Sequence, residues 1–205
     1  MRNWCNATCF ILLGLFLAVT LWSAYEVFIL DNVAIYAENG PLEILQAVLL
    51  TMSCIVFLVA VAIQKQPARL ICLFCAVLCY SFVVRELDVE RLNVHRYVKF
   101  IGSGVGRNTT LAVAFTAILV YAGFNFSCYK KAVIQFLKSR PGISLMVGGL
   151  LLLLGSVFEK NHSILYNAYF EEILELFGYV FVLLTAFAVN SRSFELTVAP
   201  TRGRH

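Results

Sequence analysis

The sequence predicts an all-α protein, a polytopic bundle of six transmembrane helices. Three observations predict it: an extreme apolar composition, apolar runs of bilayer length, and turn signals between those runs. Of 205 residues, 60% are hydrophobic and only 14% charged, with a mean hydropathy of +0.82. An ordinary soluble domain carries roughly 25% charged residues. A soluble fold of this size leaves much of its surface exposed and has nowhere to hide so many apolar side chains. A bilayer removes that difficulty.

A helix needs roughly 20 apolar residues to cross the hydrocarbon core. The runs at 10–30, 43–63, 111–128, 143–158 and 172–189 qualify, with a residue or two of slack. The apolar run of the remaining span, 70–86, is shorter and ends at Val84. It is bracketed by Arg69 and Arg85, whose long stems snorkel to the interfaces. The breaks carry turn residues: Asn39-Gly40-Pro41, Gln66-Pro67, Gly102-Ser103-Gly104 and Pro141-Gly142. A signal-peptide cut after Ala24 would put Trp22 where a small residue is wanted, so the first run reads as a retained helix. Residues 1–190 form a single transmembrane domain on this reading, and 191–205 a disordered cytoplasmic tail.

Excess Lys and Arg mark the cytoplasmic side of a membrane protein. Of the 16 basic residues, ten fall with the termini and the loops near Lys65, Lys130 and Lys138, and six fall on the other side. Both termini are therefore expected in the cytoplasm, with three hairpins opening outward. Eleven of the 12 acidic residues gather at the outer ends: Glu26, Asp31, Glu38, Glu43, Glu86, Asp88, Glu90, Glu159, Glu171, Glu172 and Glu175. The net charge of +4 is small and its basic residues are dispersed, which leaves no nucleic-acid footprint and makes membrane lipids the expected surroundings.

The first and last hairpins echo each other. Ser23-Ala24-Tyr25-Glu26 and Ser156-Val157-Phe158-Glu159 close one helix each, while Glu43-Ile44-Leu45-Gln46 and Glu172-Ile173-Leu174-Glu175 open the next. A repeat of hairpins 1 and 3 is one reading. Chance matching in a chain rich in Leu, Ile and Phe is the other.

The candidate binding site is an acidic outer rim of Glu26, Glu43, Gln46, Glu86, Asp88, Glu159, Glu171, Glu172 and Glu175. Residues three and four apart share a helix face, so Glu175 lies a turn deeper than Glu171 and Glu172. First-turn carboxylates complement the helix dipole, which accounts for Glu43, Glu171 and Glu172 in purely structural terms. It accounts less well for Glu175 and Glu26, which reach further into the apolar layer, where ionisable groups are paired or functional. In the middle loop, Arg85, Arg91, Arg96 and Lys99 stand where they neutralise Glu86 and Glu90 in a salt-bridged interfacial helix. The Gly102–Gly106 stretch reads as a flexible link.

Glu43, Glu172, Glu175 and His162 are the candidate metal ligands, since oxygen-rich sets suit hard cations and added imidazole suits Zn or Fe. No H-E-x-x-H motif accompanies them. Among seven cysteines, Cys72, Cys75 and Cys79 share one helix face. Outside a thioredoxin-like βαβ setting, Cys72-x-x-Cys75 reads as small packing residues rather than a redox pair. No Walker, Rossmann or Ser-His-Asp signature is present.

Three segments together resemble a group of uncharacterised bacterial inner-membrane proteins: Glu38-Asn39-Gly40-Pro41-Leu42-Glu43, Arg85-Glu86-Leu87-Asp88-Val89-Glu90 and Glu171-Glu172-Ile173-Leu174-Glu175. The group tends to show paired Glu followed by Trp-Gly-Gln in the middle segment, and this chain departs there. The resemblance implies a bacterial plasma-membrane location and an acidic rim that acts as a unit. It implies no reaction and no cofactor.

Three functional readings follow. The rim binds or transports a cation, a proton or a polar lipid-linked substrate. Alternatively, Glu43, Glu172 and Glu175 hold a metal or act as acid and base in a membrane-embedded hydrolase or transferase. In the third reading the chain is a non-catalytic assembly subunit, whose Gly148, Gly149 and Gly155 pack against a second copy or a membrane partner protein.

Overall fold

The computed structural model describes residues 2–37, 40–86, 95, 99–100, 102, 104–160 and 165–190. These residues form seven α-helices and one 3-10 turn. The helices are α1 (Arg2–Phe28), α2 (Pro41–Ile63), α3 (Ala68–Glu86), α4 (Gly104–Phe124), α5 (Phe126–Lys138), α6 (Arg140–Lys160) and α7 (Asn167–Asn190). The 3-10 turn, Val33–Ile35, follows α1. Five of the helices, α2, α3, α4, α6 and α7, are long and apolar enough to cross a bilayer. In α1 the apolar part is the shorter stretch Gly14–Phe28.

The expected spans are all helical, with shifted ends. The fourth runs 104–124 rather than 111–128, because Asn125 interrupts the helix and α5 starts afresh at Phe126. The glycine-rich stretch is not simply a flexible link: Gly102 is helical and Gly104 opens α4. The basic segment after Cys128 is no loop either, since it forms the amphipathic helix α5.

α7 is the centre. It packs along α6 on one side and α2 on the other, and α3 then packs on α2 and α4 on α3. α1 leans on α7, and α5 on α6. Tyr179, Leu176, Val180 and Leu183 of α7 meet Leu42, Leu49 and Leu50 of α2 and Phe16 and Val27 of α1 in the main core. A second cluster joins Phe57 and Ala60 to Cys72, Cys75 and Cys79 and to Ala186 and Val189. The five cysteines with described side chains are free thiols.

Glycine sets the spacing of the α6–α7 pair. A Cβ on Gly148 would lie 2.9 Å from the Gly178 carbonyl oxygen, and one on Gly155 would lie 3.2 Å from Cγ of Glu175. Close approach of backbones through small residues is how membrane helices gain packing energy, since lipid supplies no hydrophobic drive between them. Gly148 and Gly155 therefore serve contacts within the chain, while a Cβ on Gly149 would meet nothing within 4 Å. This tight pairing has no counterpart in the first hairpin, where α1 packs on α7 and not closely on α2.

The ends of the helices sort by charge. Ser23 of α1 meets Tyr169 of α7 at 3.2 Å, and Gln46 of α2 meets Glu172 of α7 at 2.7 Å. At the opposite end, Gln64 donates to the Val189 carbonyl at 3.0 Å, and Tyr129 of α5 donates to Gln66 at 2.9 Å. Successive apolar helices thus run in alternate directions, and every acidic residue with a described position lies at the first of these ends. Lys65, Arg69, Lys130, Lys131, Lys138 and Arg140 lie at the second.

Candidate functional site

The start of α2, the end of α3, the end of α6 and the start of α7 converge at the acidic end. Between them is an open cleft of about 380 Å³ lined by Glu43, Arg85, Glu86, Glu159, Glu171, Glu172 and Glu175. Six carboxylates face one guanidinium. The sequence of α7 produces half of that charge: because the helix starts at Asn167 and not at Glu172, Glu171, Glu172 and Glu175 fall in its second and third turns, past the exposed amide N–H groups of the first, and the helix dipole does not account for them. Gly155 lets α6 lie close enough to bring Glu159 alongside.

Arg85 organises the deep part of the cleft. Its Nη2 lies 2.7 and 2.9 Å from the two carboxylate oxygens of Glu175 and 2.7 Å from Oε1 of Glu86. Its Nε makes a second contact to that Glu86 oxygen at 3.0 Å. The Tyr179 hydroxyl donates to Glu86 Oε1 at 2.9 Å and accepts from Arg85 at 3.2 Å. The guanidinium carbon also stands 5.8 Å from the centre of the Phe82 ring, within cation–π range. Glu86 and Glu175 are nearly enclosed, with side chains 9% and 8% exposed, while that of Arg85 is 52% exposed. The cation therefore reaches in from the mouth to meet two enclosed anions.

Glu172 is held differently. Gln46 Nε2 donates to its carboxylate at 2.7 Å and to its backbone carbonyl at 2.9 Å. The amide oxygen of Gln46 is buried without a hydrogen-bond partner. Gln46 is thus a support for the cleft wall and not part of its lining.

The structure brings together Glu43, Glu86, Glu159, Glu171, Glu172 and Glu175 from the predicted rim. It does not bring Glu26: that carboxylate accepts from Asn32 at 3.0 Å and tethers the turn after α1, whose Asn32 in turn caps the 3-10 turn. Asp88 and His162 lie outside the described residues, as does Glu90. Glu43, Glu172 and Glu175 share the cleft, yet among the described residues no group of three or more His, Cys, Asp or Glu is placed to hold a metal ion. Of the two readings of Glu175, paired or functional, the structure shows the pairing, with Arg85 at 2.7 Å. Tyr179 was missed. The signal was available: it stands four residues after Glu175, on the same helix face.

Fold and site together define the class, a multi-pass helical membrane protein with a carboxylate-rich cleft at one end of its bundle. A scan against known protein families and searches of curated proteins and of solved structures gave no match.

Proposed function

We propose that the cleft is a binding site for a nitrogen cation, an ammonium or guanidinium group carried by a polar or lipid-linked substrate, on a path of binding or transport at the extracytoplasmic face of a plasma membrane. The observation that carries this reading is the setting of Arg85. Two carboxylates, a tyrosine hydroxyl and an aromatic ring surround one guanidinium, and four further carboxylates line the same cleft. Carboxylates gathered in one cleft repel one another, and an added cation relieves that repulsion. Ionisable groups at a membrane edge are functional candidates by default. The positive-inside asymmetry supports six spans with both termini cytoplasmic. The meeting of the Glu43 and Glu171–Glu175 segments at one cleft supports membership of the bacterial inner-membrane group they resemble.

A ligand that binds only the folded state raises its stability by mass action. Purified full-length protein in detergent, titrated with spermidine at constant ionic strength, is expected to gain thermal stability. Glu171→Gln/Glu172→Gln should abolish the gain, and Glu26→Gln, outside the cleft, should keep it. An unchanged spermidine response in the double variant would remove the cleft as the site. A response to MgCl2 alone would turn the assignment toward a metal.

A further inference from the structure

Another cavity lies at the other end of the bundle and has the opposite chemistry. It is a groove of about 280 Å³ between α3, α4, α5 and α6, with Leu70, Phe74, Ile118, Tyr129, Val133 and Leu145 among its walls. The Tyr129 hydroxyl in its lining is already engaged, donating to Gln66. The groove is floored by α5, whose Tyr129, Ala132 and Phe136 are buried against the bundle while Lys130, Lys131 and Lys138 are exposed. A short helix with one apolar face and a basic face is the form that lies in the plane of a membrane interface.

We propose that this groove seats an acyl chain of an anionic glycerophospholipid, and that the lysines of α5 take its phosphate. Charge complementarity selects the occupant. Lys130 and Lys131 directly follow Tyr129, and Lys138 directly follows Leu137, both of which are groove residues. Arg140 adds a fourth exposed cation, and no described acidic residue lies at this end to compete for them. The volume is slightly below the roughly 300–1,000 Å³ of ordinary ligand pockets, which suits one chain entering from the bilayer and leaves the headgroup outside on α5. The membrane supplies such a chain at the groove without any diffusion through water. The proposal is independent of what the acidic cleft binds.

Native mass spectrometry of the full chain, released from detergent with added palmitoyl-oleoyl phosphatidylglycerol or phosphatidylcholine, tests it. The expected result is one retained phosphatidylglycerol per chain, favoured over phosphatidylcholine. A basic residue near a membrane surface is worth about fivefold in affinity for anionic lipid, so Lys130→Gln/Lys131→Gln should weaken phosphatidylglycerol retention roughly 25-fold. Both lysines are exposed, so folding is not at stake in that variant. Ala122→Phe, which fills the groove, should reduce retention of both lipids. Equal retention of the two lipids by the wild type, or an unaffected lysine variant, overturns the proposal. A dimer that dissociates in Ala122→Phe also overturns it, by giving the groove to a second copy of the chain.

Discussion

Arg85 and Glu175 stand 90 residues apart in sequence, and one guanidinium nitrogen reaches both oxygens of the carboxylate, at 2.7 and 2.9 Å. Two helices that are not sequence neighbours, α3 and α7, are joined by this contact at the rim of the bundle. Glu86 and Tyr179 complete it, so that four polar groups satisfy one another where the apolar core ends. Arg85 bonds to all three of the others, so its removal costs each of them a partner.

Removing one partner of a fully buried pair costs about 3–5 kcal/mol, because the other charge is left uncompensated. Arg85 is half exposed, and water softens that penalty. Glu175→Gln, which keeps a hydrogen-bonding group, should cost about 1 kcal/mol. Arg85→Gln should cost more, about 2–3 kcal/mol, since it strands both Glu86 and Glu175. Thermal unfolding of the two single variants and the double variant measures this. Effects that add within about 0.5 kcal/mol would show the pair to be energetically silent.

Neighbouring glycines on α6 should behave in opposite ways. Gly148→Val places carbon against the Gly178 backbone and the Phe181 side chain, and overpacking of this kind costs about 1–3 kcal/mol. At Gly149 an added Cβ meets no heavy atom within 4 Å, and Gly149→Val should stay within about 0.5 kcal/mol of the wild type. Resistance to unfolding in mild denaturing detergent compares them. Equal losses at both positions would contradict the helix pairing described above.

Topology is tested by single cysteines in a background where the native cysteines are alanine. Ala37→Cys, exposed beside the acidic end, should react in intact cells with an impermeant thiol reagent. Lys65→Cys and Lys131→Cys, exposed at the basic end, should react only after the membrane is opened. The reverse pattern would place the acidic cleft in the cytoplasm.

The spans were legible because each is a long apolar run, and a run of that length has few other uses. The acidic rim was legible for a related reason: alternating helices bring their like ends together whatever their packing order. Packing order itself was not legible. Nothing local in Arg85 points to Glu175 as a partner, and only the placement of α3 relative to α7 brings the two together. Glu26 misled because a carboxylate at a helix end can serve its own turn as readily as a shared site. α5 was legible but overlooked. Tyr129, Ala132, Val133, Phe136 and Leu137 follow the i, i+3, i+4, i+7, i+8 spacing of an amphipathic helix, partly masked by two adjacent lysines.

The position of α7 has a consequence for how the protein is made. Chains emerge from the ribosome in sequence order, so α1, α2 and α6 are all synthesised before the helix they pack against. Until α7 arrives, Arg85 has no Glu175, Gln46 has no Glu172, and Gly148 has no facing backbone. α2, α3 and α4 can pack on one another without it, while α6 gains its main neighbour only when α7 arrives. Insertion of α7, three carboxylates at its leading end, is therefore the event that turns a collection of spans into a protein.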